Sequence, residues 1–116
     1  MASRVKMDLS HAWLANATIG FGIQVYALFV PEFPSPIGLV WGTLTGGKRR
    51  KFEVHGSFVH VFHRRNGIRT KINELLLESE CDVIFSDATT PEGEKFMRAA
   101  AGYKLDPHTG WWVLTK

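Results

Sequence analysis

A chain of 116 residues with 45% hydrophobic and 22% charged residues has the make-up of one globular domain, residues 1–116, large enough to bury a single core. Its net charge of +3 and pI near 9.2 are mildly basic, which leaves open both a polyanionic or phosphorylated ligand and an ordinary solvated surface. A lone cysteine, Cys81, excludes an intrachain disulfide and a cysteine-based zinc cluster, and fits a reducing, cytoplasmic setting.

The first residues carry Arg4 and Lys6, but Asp8, Ser10, His11 and Asn16 interrupt the apolar residues before a secretory signal can form. Residues 5–16 fit a strand or a short helix. Residues 19–30 are apolar, too short to span a membrane, and read as a core strand whose strongest β signal is 24–30. The run Pro31-Glu32-Phe33-Pro34-Ser35-Pro36 forces an extended loop, and 37–45 makes the next strand. Thr45-Gly46-Gly47-Lys48 signals a turn, so 52–62 should return antiparallel.

After the turn Arg64-Arg65-Asn66-Gly67, the residues Ile68, Ile72, Leu75 and Leu76 recur at helical spacing, with Lys71, Asn73, Glu74 and Glu78 mostly on the other side. Residues 81–86 make a short buried strand. Thr90-Pro91-Glu92 is a helix start, with a hydroxyl cap, proline in the first turn and an acid near the positive helix end. That helix should end near residue 100 and stop at Gly102. Residues 111–115 form a last strand after the turn Asp106-Pro107-His108-Thr109-Gly110. The expected fold is mixed α/β (α+β), a mostly antiparallel sheet flanked by helices.

The 64–70 turn is the first candidate for chemistry. A helix start leaves backbone N–H groups without intrahelical acceptors and carries partial positive charge, so it suits a phosphate. Gly67 permits close backbone approach, and Arg64 and Arg65 add charged donors. A plain strand–turn–helix joint explains the same residues.

With its neighbours, the segment 52–116 resembles the coenzyme-A-binding half of the GNAT-type N-acetyltransferases. In that family a strand enters an Arg/Gln-x-x-Gly-x-Gly/Ala turn, then come a helix, a strand, a second helix and a Gly-aromatic pair. Here Arg64-Arg65-Asn66-Gly67-Ile68-Arg69 takes the turn, with Val59 five residues earlier and Gly102-Tyr103 as the pair. Arg69 stands in the slot where the family prefers glycine or alanine. The part before the turn is too short for the family's usual two helices between the first strands. Arg98 stands where a tyrosine acid is often found.

The resemblance implies a GNAT-like fold with a shortened N-terminal part and acetyl-CoA as cosubstrate. Its pantetheine would lie between the 52–62 and 81–86 strands, paired with Val59 and Val61. Its pyrophosphate would rest on the turn formed by Arg64, Arg65, Asn66, Gly67, Ile68, Arg69 and Thr70, and Thr89, Thr90 and Phe96 would line the far wall. The implied reaction is direct acetyl transfer to a primary amine, with a protein lysine or N-terminus as the candidate acceptors. An alternative is a GNAT-like module without catalysis that acts through protein or nucleic-acid contact.

Direct transfer needs a group to take the amine's proton. Glu53 and His55 are two residues apart, would share one sheet face, and are the candidate catalytic residues; exposed strand polars are the plainer reading. The remaining histidines lack metal-ligand spacing, so no metal is expected. Lys48, Arg49, Arg50 and Lys51 fit a solvated hairpin loop or a nucleic-acid contact. The tryptophans read mostly as core residues. An exposed terminal strand and an apolar N-terminal third suggest a homodimer, and no membrane association is expected.

Overall fold

A computed structural model describes residues 7–59, 66–87, 91–99 and 102–116. Where one core strand was expected over 19–30, the chain makes a hairpin. Strand β1 (Trp13–Ile19) turns through Gly20, Phe21 and Gly22 into β2 (Ile23–Phe29), and Ile19 pairs with Ile23. Phe21 (φ 64°) and Gly22 (φ 76°) hold the left-handed backbone that such a turn demands. Only the second of these is a conformation that glycine supplies without steric cost.

A second hairpin follows, β3 (Gly38–Thr45) and β4 (Lys51–Val59), with the expected antiparallel pairing. Residues 60–62, expected to extend β4, lie outside the described residues. Next come α1 (Ile68–Ser79), β5 (Val83–Ser86), α2 (Pro91–Ala99), β6 (Lys104–Leu105) and β7 (Trp112–Thr115). The strands form one sheet in the order β1-β2-β3-β4-β5-β7-β6, in which β4 and β5 run parallel and the other pairs antiparallel. The fold is mixed α+β. Among the described residues no helix is long and apolar enough to cross a membrane.

Three boundaries differ from expectation for local reasons. Strand β5 begins at Val83 because Asp82 is engaged in a loop: its amide donates to the Arg50 carbonyl, and its carboxylate accepts from the Arg50 amide, each at 2.8 Å. Strand β7 begins at Trp112 because Trp111 belongs to the preceding turn, where its carbonyl accepts from the Asp106 amide at 2.8 Å. Strand β6 is only two residues long, too short to leave a periodic signal.

Both helices lie on one face of the sheet. Ile68, Ile72 and Leu76 of α1 cover Tyr26, Leu28, Val40, Phe52 and Ile84. Met97 of α2 packs with Tyr103 and Trp112 in a smaller cluster that Leu114 joins to the first. The opposite face of β1 to β3 carries Trp13, Ala15, Ala17, Ile19, Val25, Phe29 and Trp41, and no described helix covers it. This corrects the expected core role of most tryptophans. The period-two alternation sends Trp13 and Trp41 to the outer face, where Trp13 stacks on Phe29 at 5.6 Å; of the four, only Trp112 is buried.

Candidate functional site

The site begins as a parting of strands. Strands β4 and β5 pair from Lys51↔Val83 to Val54↔Ser86; β4 then continues along β3 to Val59, while β5 ends. The cause of the parting is visible in β4. Trp41 pairs with Gly56 and Gly42 with Val54, so His55 is an extra residue, a β-bulge that bends the strand at the position where β5 leaves it. Two glycines permit the bulge. A side chain at Gly42 would strike the Glu53 carbonyl, and one at Gly56 would strike the Trp41 ring lying across it.

The end of β4 and the start of α1 meet over Gly38, where an added Cβ would lie 2.7 Å from Ile68 Cγ2 and 3.5 Å from Val59 Cγ2. Helix α1 starts at Gly67 in the left-handed conformation (φ 71°), with no side-chain cap and no acidic residue in its first turn. Helix geometry leaves the amides of Ile68, Arg69 and Thr70 without intrahelical acceptors. Apart from its chain neighbours, no described residue comes within 4 Å of the place a Gly67 side chain would occupy. An uncapped, open helix start with no nearby acid favours an anion.

Arg69 does not obstruct this start, because its side chain turns inward. Its Nε donates to Asn73 Oδ1 at 3.1 Å and its Nη2 to Ser86 Oγ at 3.4 Å, while Asn73 Nδ2 donates to the Tyr103 hydroxyl at 2.6 Å. Burial pushes the guanidinium below its ordinary value, and the adjacent Tyr103 opposes that shift. It remains protonated near neutrality. No carboxylate pairs with Arg69 among the described residues. Among the described residues, the cation is therefore held by neutral acceptors beside the last residue of β5.

Asn73, expected on the solvent side of α1, is 2% exposed. One helical turn places it between Arg69 and the Tyr103 hydroxyl, where its Oδ1 accepts and its Nδ2 donates. The only sequence signal was a polar residue flanked by Ile72 and Leu76. Ser86 and the phenol of Tyr103 gave no signal, since their partners come from 17 and 30 residues away.

Glu53 and His55 are exposed on the outer face, and both adjoin Thr43. Thr43 pairs with Glu53 across the strands, and its Oγ1 lies 3.0 Å from His55 Nε2. If that Nε2 carries the proton donated to Thr43, Nδ1 is the basic nitrogen. His55 is also the first β4 residue past the last β4–β5 pair.

Val59 is half-buried opposite Gly38, Ile68 is buried in the core, and Thr70 is exposed. Asn66 Oδ1 accepts from the Met7 amide at 3.2 Å, which ties the turn to the N-terminal segment. Phe96 packs edge-on against Tyr103 with ring centres 6.2 Å apart. Arg98 bonds Glu94 at 2.6 Å and lies 5.6 Å from the Trp112 ring. Val61, Arg64, Arg65, Thr89 and Thr90 lie outside the described residues, as do His60 and His63. Among the described residues no three His, Cys, Asp or Glu side chains converge to hold a metal.

No family model and no curated protein matches the chain. Among solved structures it resembles a chain in the crystal structure of the NatC complex bound to Gag peptide and CoA, with a TM-score of 0.54 and 15% identity over 79% of this chain and 70% of that one. At this identity the likeness is one of fold alone.

Proposed function

We propose that the chain is an acetyl-CoA-dependent N-acetyltransferase of GNAT type, acting on a primary amine of a peptide or protein. The observation that carries this reading is the parting of β4 from β5 at the His55 bulge, next to an uncapped helix start. A strand edge and an anion-favouring turn thus lie side by side, as an extended ligand that leads into a pyrophosphate requires. The fold shared with a CoA-bound and peptide-bound neighbour supports it.

In this reading the edge of β4 near Val59 pairs with the pantetheine, with Val61 continuing that edge. The amides of Ile68, Arg69 and Thr70 receive the pyrophosphate, with Asn66 and Gly67 shaping the turn and Arg64 and Arg65 as charged supports. Thr89, Thr90 and Phe96 form the far wall. When bound, acetyl-CoA supplies the acetyl thioester. His55 or Glu53, at the parting, takes the proton from the incoming amine, and Thr43 holds the His55 ring in place. The outer face beside them, which no described helix covers, would receive the polypeptide acceptor.

The test is release of free CoA thiol on mixing the chain, acetyl-CoA and a panel of amine-bearing peptides. Turnover that falls at least tenfold in His55→Ala or Glu53→Gln, with acetyl-CoA affinity unchanged, supports the assignment. Arg98 in the tyrosine slot, already paired with Glu94, favours a second reading, a binding module without catalysis. Acetyl-CoA binding with no turnover on any peptide would select it.

A further inference from the structure

We infer that the chain forms a homodimer by antiparallel pairing of β1 with β1 of a second copy, centred on Asn16. The inference is independent of the functional reading, since β2 and β3 separate β1 from β4.

Among the described residues, strand β1 closes the sheet on one side and pairs only with β2. Sheet edges in soluble proteins are blunted by charge, proline, a bulge or brevity. Strand β1 has none of these: Trp-Leu-Ala-Asn-Ala-Thr-Ile has no charge and no proline, runs for 7 residues, and keeps unbroken register with β2. All of its residues but Leu14 are exposed.

Its pattern is its own complement. With Asn16 opposite the partner's Asn16, Trp13 lies opposite the partner's Ile19, Ala15 opposite the partner's Ala17, and Leu14 opposite the partner's Thr18. Side chains alternate with period two, so this register keeps the apolar row of each copy on one face. Each end then covers a large exposed residue with another, Trp13 at 48% exposure and Ile19 at 59%.

The uncharged strand commits the edge to a copy of itself, because self-pairing here meets no like-charge repulsion. Two seven-residue edges make a small interface, the size class of weak association, so the dimer should form only at the upper end of the concentration range tested.

Sedimentation velocity of the full chain over micromolar to sub-millimolar concentrations tests this. The wild type should pass from monomer to dimer. Asn16→Lys and Asn16→Asp each set like charges against themselves and should weaken the dimer at least tenfold, and their equimolar mixture should restore it. Thr18→Lys, an exposed substitution away from the centre, should also weaken it and serves should the Asn16 variants not fold. A wild type that stays monomeric, a dimer unaffected by Asn16→Lys and Thr18→Lys, or a mixture of folded variants that stays monomeric would overturn the inference.

Discussion

Replacing Tyr103 by phenylalanine removes one oxygen atom and keeps the ring packed on Phe96. The lost atom is the acceptor for Asn73 Nδ2 at 2.6 Å, and Asn73 is 2% exposed, so water cannot take its place. A buried donor left without a partner costs about 1–3 kcal/mol. The effect should reach Arg69, whose Nε rests on the same Asn73 side chain, whose guanidinium also interacts with the Tyr103 hydroxyl itself, and whose bond to Ser86 Oγ is long at 3.4 Å. Thr43→Val is the control, because it also removes one hydroxyl hydrogen bond, to His55, but at an exposed position where the cost should stay within about 0.5 kcal/mol. Urea unfolding reads both. With slopes of roughly 1–3 kcal/mol per molar for small proteins, Tyr103→Phe should lower the midpoint by about 1 M at unchanged slope. A Tyr103→Phe midpoint equal to that of Thr43→Val would refute the idea that the Arg69–Asn73–Tyr103 chain is a closed, mutually dependent network.

Gly56→Ala drives a methyl group into the Trp41 ring, so it should cost about 1–3 kcal/mol as overpacking and shift the tryptophan emission of the folded state. Cys81 is buried and its thiol is pushed up to about 11, first by burial and then by Asp82 and Glu80, so it should resist thiol reagents in the native protein and react only on unfolding. The same shift fixes a pH dependence. Tyr26 is likewise pushed up to about 12, chiefly by burial, and for both groups the folded state holds the proton longer than the unfolded one. Stability from these groups is complete below pH 9.0 and falls as Cys81 loses that advantage between 9.0 and about 11, then Tyr26 between 10.0 and about 12. The slope is at most about 1.4 kcal/mol per pH unit for each group, and Cys81→Ala should abolish the earlier limb in denaturant titrations across that range.

The elements with strong local patterns were readable from the sequence: the Ile68, Ile72 and Leu76 stripe became α1, and the Gly46-Gly47 turn joined two antiparallel strands. The β1–β2 hairpin was not readable, because apolar Ile19 and Ile23 flank a turn that itself contains Phe21, so hydrophobicity never drops across the bend. Trp13 and Trp41 misled for a related reason. Composition argues for burial of tryptophan, but only the third dimension shows that both helices cover one face and leave the other open. Glu53 and His55 share a face as their spacing implied, although a bulge at His55, absent from any local pattern, sets their position at the strand parting. The Arg69 network lay beyond sequence reasoning altogether, since a guanidinium in a turn gives no sign of whether it points out toward a phosphate or inward to Asn73.

The central claim is that the parting of β4 and β5, with the open start of α1, binds an acyl-CoA thioester. Thermal unfolding of the full chain with increasing acetyl-CoA tests it most directly. Ligand at about a hundred times its dissociation constant stabilises the native state by about 2.7 kcal/mol, so the midpoint should climb by several degrees and keep rising with the logarithm of concentration. Gly67→Val, which fills the open helix start and strains a φ of 71°, should weaken that response. A midpoint that does not move at millimolar acetyl-CoA would contradict the claim and leave the fold without its proposed cosubstrate.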